Sequence, residues 1–363
     1  MKKNIKPLIV LILIVAICLA SYCWYKTNSK KEIVEISTEN LQNDLEQIDE
    51  ETEIVESEIK EPEIQIFKGN DRPIAFMIDN NKNAQPQASL NSTYMVYEII
   101  VEGGESRLMA LFKGVTADEV GPIRSARHYF LDYAMENDAI YAHLGMSPQA
   151  DAAFGEFNID HVNGQVYDTG KARTPASFYW RVTHKKAPHN AYTNTESILQ
   201  IAKGFGWRTT TDQKSVLNYV ENEVNLDSED SILVNSVKIP YASGHTVQYK
   251  YDEEAGRYTR FSKGKKMYDE TTSEAITTKN IIITFAENYT LDDGENKGRQ
   301  DVVTVGSLDG YYITNGKAIK IKCNKNSRKE QTKYVDLNGN EIEVNDGNTW
   351  VNICPIDANV IFE

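Results

Sequence analysis

Cysteine and net positive charge are both in short supply. Only four of the 363 residues are cysteine, and Cys18 and Cys23 sit in an apolar N-terminal stretch. The other two, Cys323 and Cys354, are too few for a disulfide-stapled scaffold or a four-cysteine zinc site, and a single bridge between them stays open. Lysine and arginine number 39 against 53 acids, for a net charge of −14. A chain so balanced does not advertise the basic face that phosphate backbones require, so no nucleic-acid partner is expected. No histidine pair has HExxH spacing and no serine sits in a G-x-S-x-G elbow. The local signatures of zinc peptidases and serine hydrolases are therefore missing.

What is present begins at the N-terminus. Residues 5–25, IKPLIVLILIVAICLASYCWY, are long and apolar enough to cross a bilayer, with Lys2, Lys3 and Lys6 as the positive flank and Trp24 and Tyr25 at the outer end. Tyr22 before Cys23 departs from the small residue that lipoprotein processing favours, and no A-x-A site follows the run. An uncleaved signal anchor over residues 1–26 is the expectation. The membrane is then a partner, and the rest of the chain lies outside the cytoplasm. Residues 32–66 carry thirteen acids and one lysine, with no glycine or aromatic residue. This composition reads as an acidic flexible linker, bounded at 27–69, with a short amphipathic helix through Leu41, Leu45 and Ile48 as the alternative.

The remaining length is more than one core usually serves, so two folded units are expected. In 70–225, the runs PIAFMIDN, TYMVYEIIVEGG, LMALFKGV and AIYAHLG read as buried strands. Between and after them, helical spacing over Ile123–Asn137, SPQADAAFGEF with Ser147 as cap, and TESILQIAKGFG with Thr195 as cap predict helices, giving an α/β domain. From residue 226 to 363, alternating apolar and polar residues around Asn-Gly and Gly-rich turns predict a mostly antiparallel β domain, a sandwich or partly open barrel. Tyr249, Tyr251, Tyr258 and Tyr268 read either as cross-strand packing or as a sugar-stacking face.

GPIRSAR (121–127) is the candidate site. Proline suits the first turn of a helix, so a helix starting near Pro122 would offer free N–H groups and its positive dipole end to an anion. Arg124 and Arg127 would flank that anion with planar forks of donors, and Ser125 would add a hydroxyl. The competing reading pairs both arginines with Glu98, Glu102 or Glu105. Residues 169–190 form the one basic patch, with Lys171, Arg173, Arg181, Lys185 and Lys186 and no acid. It either lines the same anion site or is a solvated loop. His161, His184 and His189 read as surface histidines, and His143 as a hydrogen-bonded core residue.

RPIAFMIDN, VYEIIVEGGESRLMALF, VGPIRSARHYF and AIYAHLGMSPQA, in that order, resemble the YerB-like bacterial lipoprotein family, whose paired domains are of unknown function. The resemblance runs from Arg72 to the C-terminus. It implies an extracytoplasmic, membrane-attached protein of bacteria, most often Gram-positive, and supplies no catalytic residues. In layout alone the chain is also similar to the LytR-CpsA-Psr cell-wall phosphotransferases. That likeness implies Arg107, Arg124 and Arg127 as phosphate ligands and Asp79 or Glu98 as ligands of Mg²⁺. The expected function is thus binding of an anionic cell-envelope ligand, a cell-wall glycan or lipid-linked phosphate. The alternative is a metal-dependent phosphotransferase or pyrophosphatase, so whether the chain is an enzyme stays open.

Overall fold

The computed structural model describes residues 63–363, so the expected anchor and most of the acidic linker lie outside the described residues. Among the described residues, no helix is long and apolar enough to cross a membrane. Pro62–Glu363 is one compact unit, rich in β-structure, with few helices and a mixed sheet. The first half supplies β1 (Ile74–Asp79), β2 (Met95–Ile100), β3 (Ser106–Phe112), β4 (Ile140–His143) and β5 (His161–Asn163). It also supplies α1 (His128–Glu136), α2 (Pro148–Phe157) and α3 (Thr195–Gly204). The second half supplies β6 (Ser236–Ala242), β7 (His245–Asp252), β8 (Arg257–Ser262), β9 (Asn280–Ala286) and β10 (Gly306–Thr314). β11 (Lys317–Lys325), β12 (Lys333–Val335), β13 (Thr349–Pro355) and β14 (Ile361–Phe362) follow, with several two- and three-residue strands between them and the earlier ones.

The two halves do not keep separate cores. One eleven-stranded sheet runs β12-β11-β10-β9-β13-β2-β3-β1-β4-β5, with the short strand Ile232–Leu233 beside β11. Near the C-terminus, β13 enters between β2 and β9 and pairs in parallel with both, Met95 facing Thr349 and Ile281 facing Trp350. The boundary at 225/226 therefore divides the sequence while the sheet crosses it. The reason lies in β2, whose six residues are all buried. A strand this enclosed needs neighbours on both edges, and β3 provides only one.

Period-two alternation divides the faces of the large sheet. Tyr97 points to α1, where its hydroxyl donates to Glu136 Oε1 at 2.8 Å and its ring stacks on Tyr133. Glu98, the next residue, points to the second sheet, built on β8-β7-β6-β14. There Arg260 Nη2 donates to Glu98 Oε2 at 2.6 Å, with both side chains fully buried. Tyr249 and Tyr258 are buried and Tyr251 packs on Tyr258 with ring centres 4.9 Å apart, so these tyrosines are packing elements; Tyr268 is exposed. Cys323 and Cys354 are buried free thiols.

Two helix starts differ from expectation. α2 is capped as read, with Ser147 Oγ accepting from Ala150 N. α3 is capped by Asn194, one residue before Thr195, whose hydroxyl accepts from Ala117 N instead. The larger difference concerns GPIRSAR. The helix begins at His128, and residues 121–127 run extended between two neighbours. Arg124 N donates to Met77 O and Ile123 N to Ala191 O, while Arg124 O accepts from Leu144 N. Sheet-type partners on both sides satisfy the backbone that a helix would otherwise have to satisfy itself.

Candidate anion-binding site

Extended backbone throws Arg124, Ser125 and Arg127 out over the end of β3, where Arg107 stands. The four residues nominated around GPIRSAR line one pocket of about 300 Å³, joined by Lys297 and Arg299. Arg127 holds Glu102 in a two-pronged contact, Nε to Oε1 at 2.6 Å and Nη2 to Oε2 at 2.8 Å. Arg107 lies 3.7 Å from the same carboxylate and donates to the Ser125 carbonyl. Arg124 Nε is 3.1 Å from Asp79 Oδ2, an ion pair without the alignment of a hydrogen bond, and that buried Nε has no hydrogen-bond partner.

The electrostatics follow from this crowding. Burial, then the charge of Arg127, with Arg124 adding to it and Glu102 opposing, pulls the Arg107 guanidinium down to about 10. Burial opposes ionisation of Glu102, yet the Arg127 hydrogen bonds and the charges of Arg127 and Arg107 outweigh it and hold its carboxyl below the usual range. One carboxylate thus serves two arginines. An anion in the pocket would meet the unspent positive charge and the unpartnered Nε of Arg124, while the Arg127 fork is held by Glu102.

Other nominated residues are placed differently. Ser125 Oγ donates to Leu144 O at 3.0 Å, so its hydroxyl proton is spent on backbone and its carbonyl ties the arginines. Arg173 lies over the Trp180 ring at 4.5 Å and 3.8 Å from Glu119. Arg181 is tied to Asp168 and to Asn190 Oδ1. Neither lines the arginine pocket. The two carboxylates proposed for Mg²⁺ do not fit one. Glu98 is committed to Arg260, Ser106 and Asn80 in the interior. Asp79 Oδ2 is taken by His189 Nδ1 at 2.7 Å and by Arg124. Among the described residues, no three His, Cys, Asp or Glu side chains gather as a cation site. Lys297 and Arg299 escaped sequence reasoning because they sit in LDDGENKGR, where acids mask them. Arg299 is in fact held by Asp293 and Glu295.

The fold and pocket define a class: a single-unit, β-rich protein built from two sequence halves, with an arginine-lined pocket over the strand ends of its shared sheet. The family models described as "Protein of unknown function (DUF3048) N-terminal domain" and "C-terminal domain" match residues 61–208 and 237–351. The chain is 29% identical over 299 residues to "Putative lipoprotein YerB" of Bacillus subtilis (strain 168), covering 79% of this chain and 82% of that one. It superposes on the crystal structure of YerB protein from Bacillus subtilis with a TM-score of 0.70 at 28% identity, covering 84% of this chain and all of that one. The chain belongs to the YerB-like family.

Proposed function

We propose that this protein is a membrane-attached, extracytoplasmic binding or assembly factor, and that the pocket of Arg107, Arg124 and Arg127 takes an anionic group of a cell-envelope ligand, a cell-wall glycan or lipid-linked phosphate. Attachment rests on the apolar stretch 5–25 and on the lipoprotein name of the relative. The observation that carries the binding reading is the convergence of three arginines on one small pocket where, among the described residues, a single lining carboxylate, Glu102, faces them. A bound phosphate or carboxylate would offset the burial and the repulsion from Arg127 and Arg124 that together depress Arg107. Calorimetric titration of the full chain in non-ionic detergent with inorganic pyrophosphate tests this. Saturable binding that Arg107→Ala and Arg127→Ala each weaken is expected; no binding by the unaltered chain sinks the reading.

A further inference from the structure

A second cavity, of about 680 Å³, opens between the loop carrying Lys82 and Pro86 and the loop carrying Lys185, Lys186 and His189. Its floor is fixed by Lys185. That ammonium spends its three protons on Pro86 O at 2.6 Å, Tyr192 Oη at 2.5 Å and Glu270 Oε2 at 2.6 Å. Among the described residues, the one carboxylate lining the cavity, Glu270, is thereby matched, and His184 Nε2 contacts its other oxygen at 2.5 Å. Burial opposes the charge on Glu270, but Lys185 and Tyr192 outweigh it and keep the carboxyl ionised below its ordinary range.

Lys82 and Lys186 then remain as exposed cations of the rim that make no ion pair among the described residues. His189 completes the wall. Its Nδ1 is held by Asp79 Oδ2 at 2.7 Å, so the ring is oriented with Nε2 on the side away from that carboxylate. Asp79 contacts the cavity through His189 and the arginine pocket through Arg124, and is the carboxylate common to the two.

We infer that this cavity is a second phosphoryl-binding subsite, in which Lys82, Lys186 and, when its ring carries both protons, the Nε2–H of His189 take one phosphoryl group of a ligand that carries several linked ones. Compact ammonium groups suit a phosphoryl oxygen as point charges, whereas the arginine pocket offers forks. None of these three residues lines the arginine pocket, so the inference goes beyond the proposed function and is tested separately from it.

The full chain in non-ionic detergent is titrated with inorganic phosphate, pyrophosphate and tripolyphosphate. Tripolyphosphate is expected to bind more tightly than phosphate, and Lys82→Ala combined with Lys186→Ala should weaken it by at least about tenfold, the scale of one charge-assisted hydrogen bond. Lys171→Ala, an exposed lysine of the same basic stretch outside the cavity, should change nothing. Unchanged tripolyphosphate affinity in the double variant overturns the inference, as does an equal loss in Lys171→Ala, which would mark general surface charge. If Arg107→Ala and Arg127→Ala leave binding intact while the lysine variant removes it, the arginine reading falls and this one stands.

Discussion

Glu98 and Arg260 meet at 2.6 Å between the two sheets with neither side chain exposed to solvent. Arg260 also lies over the Trp350 ring at 4.2 Å and donates to Tyr249 Oη at 2.6 Å, so the pair sits in a network joining β2, β7, β8 and β13. Burial favours neutral forms of both partners, but each holds the other charged, Glu98 below and Arg260 above its ordinary value. Removing one partner strands the other. Arg260→Met or Glu98→Leu alone should cost on the order of 3–5 kcal/mol in denaturant unfolding, and the double replacement should cost less than the sum.

The three pocket arginines should separate stability from binding. Arg127 clamps Glu102 with two short hydrogen bonds, so Arg127→Ala should lower unfolding free energy by about 1–3 kcal/mol as well as weaken pyrophosphate binding. Arg124 is half-buried and imperfectly aligned with Asp79, so Arg124→Ala should leave the melting temperature nearly unchanged while weakening pyrophosphate by roughly 1.5–3 kcal/mol. A large melting loss in Arg124→Ala, with binding untouched, would show a scaffold role.

Acid should weaken the fold through His143. Its Nδ1–H donates to Gly145 O at 2.8 Å, and its Nε2 is 2.9 Å from His161 Nδ1, so the ring is held neutral. Burial pulls its pKa from 6.5 to about 3, with the Gly145 carbonyl opposing and His161 adding to the fall; His161 is itself lowered by burial. Because the folded value lies below the unfolded one, the unfolded chain binds the proton first. The stability is fully present above about pH 6.5 and is lost as pH falls toward 3. Urea midpoints at pH 7 and pH 4.5 should differ more for the unaltered chain than for His143→Asn.

The stretch 222–231 is largely exposed and contains the boundary visible in sequence. A protease cut there should leave two fragments that elute together under native conditions and separate in denaturant, because β13 is paired on both sides. Fragments that part without denaturant would contradict the shared sheet.

Local pattern carried much of this fold. Continuous apolar runs located β1, β2, β3 and β4, and the Ser147 cap located α2. Gly-Pro misdirected the reading of 121–127 because proline is tolerated in an irregular extended segment as well as in a first helical turn, and Pro122 needs no N–H here: it contributes only its carbonyl, which accepts from Asp79 N. The partner strands, which decide between those outcomes, are distant in sequence. For the same reason Arg107, Arg124 and Arg127 were legible as candidates while Lys297 and Arg299 were not: nothing near residue 297 records that it folds back onto residue 127. Glu98 looked like a cation ligand because its partner, Arg260, is 162 residues away.

The position of β13 also sets an order of events. Synthesis makes β2 about 250 residues before β13, so β2 lacks one of its two neighbours until residues 349–355 arrive. The long loop that must close slows this step, and until it closes an apolar strand edge stands open. A chain interrupted anywhere before residue 349 cannot hide that edge, so the fold itself distinguishes chains that carry β13 from chains that stop short of it.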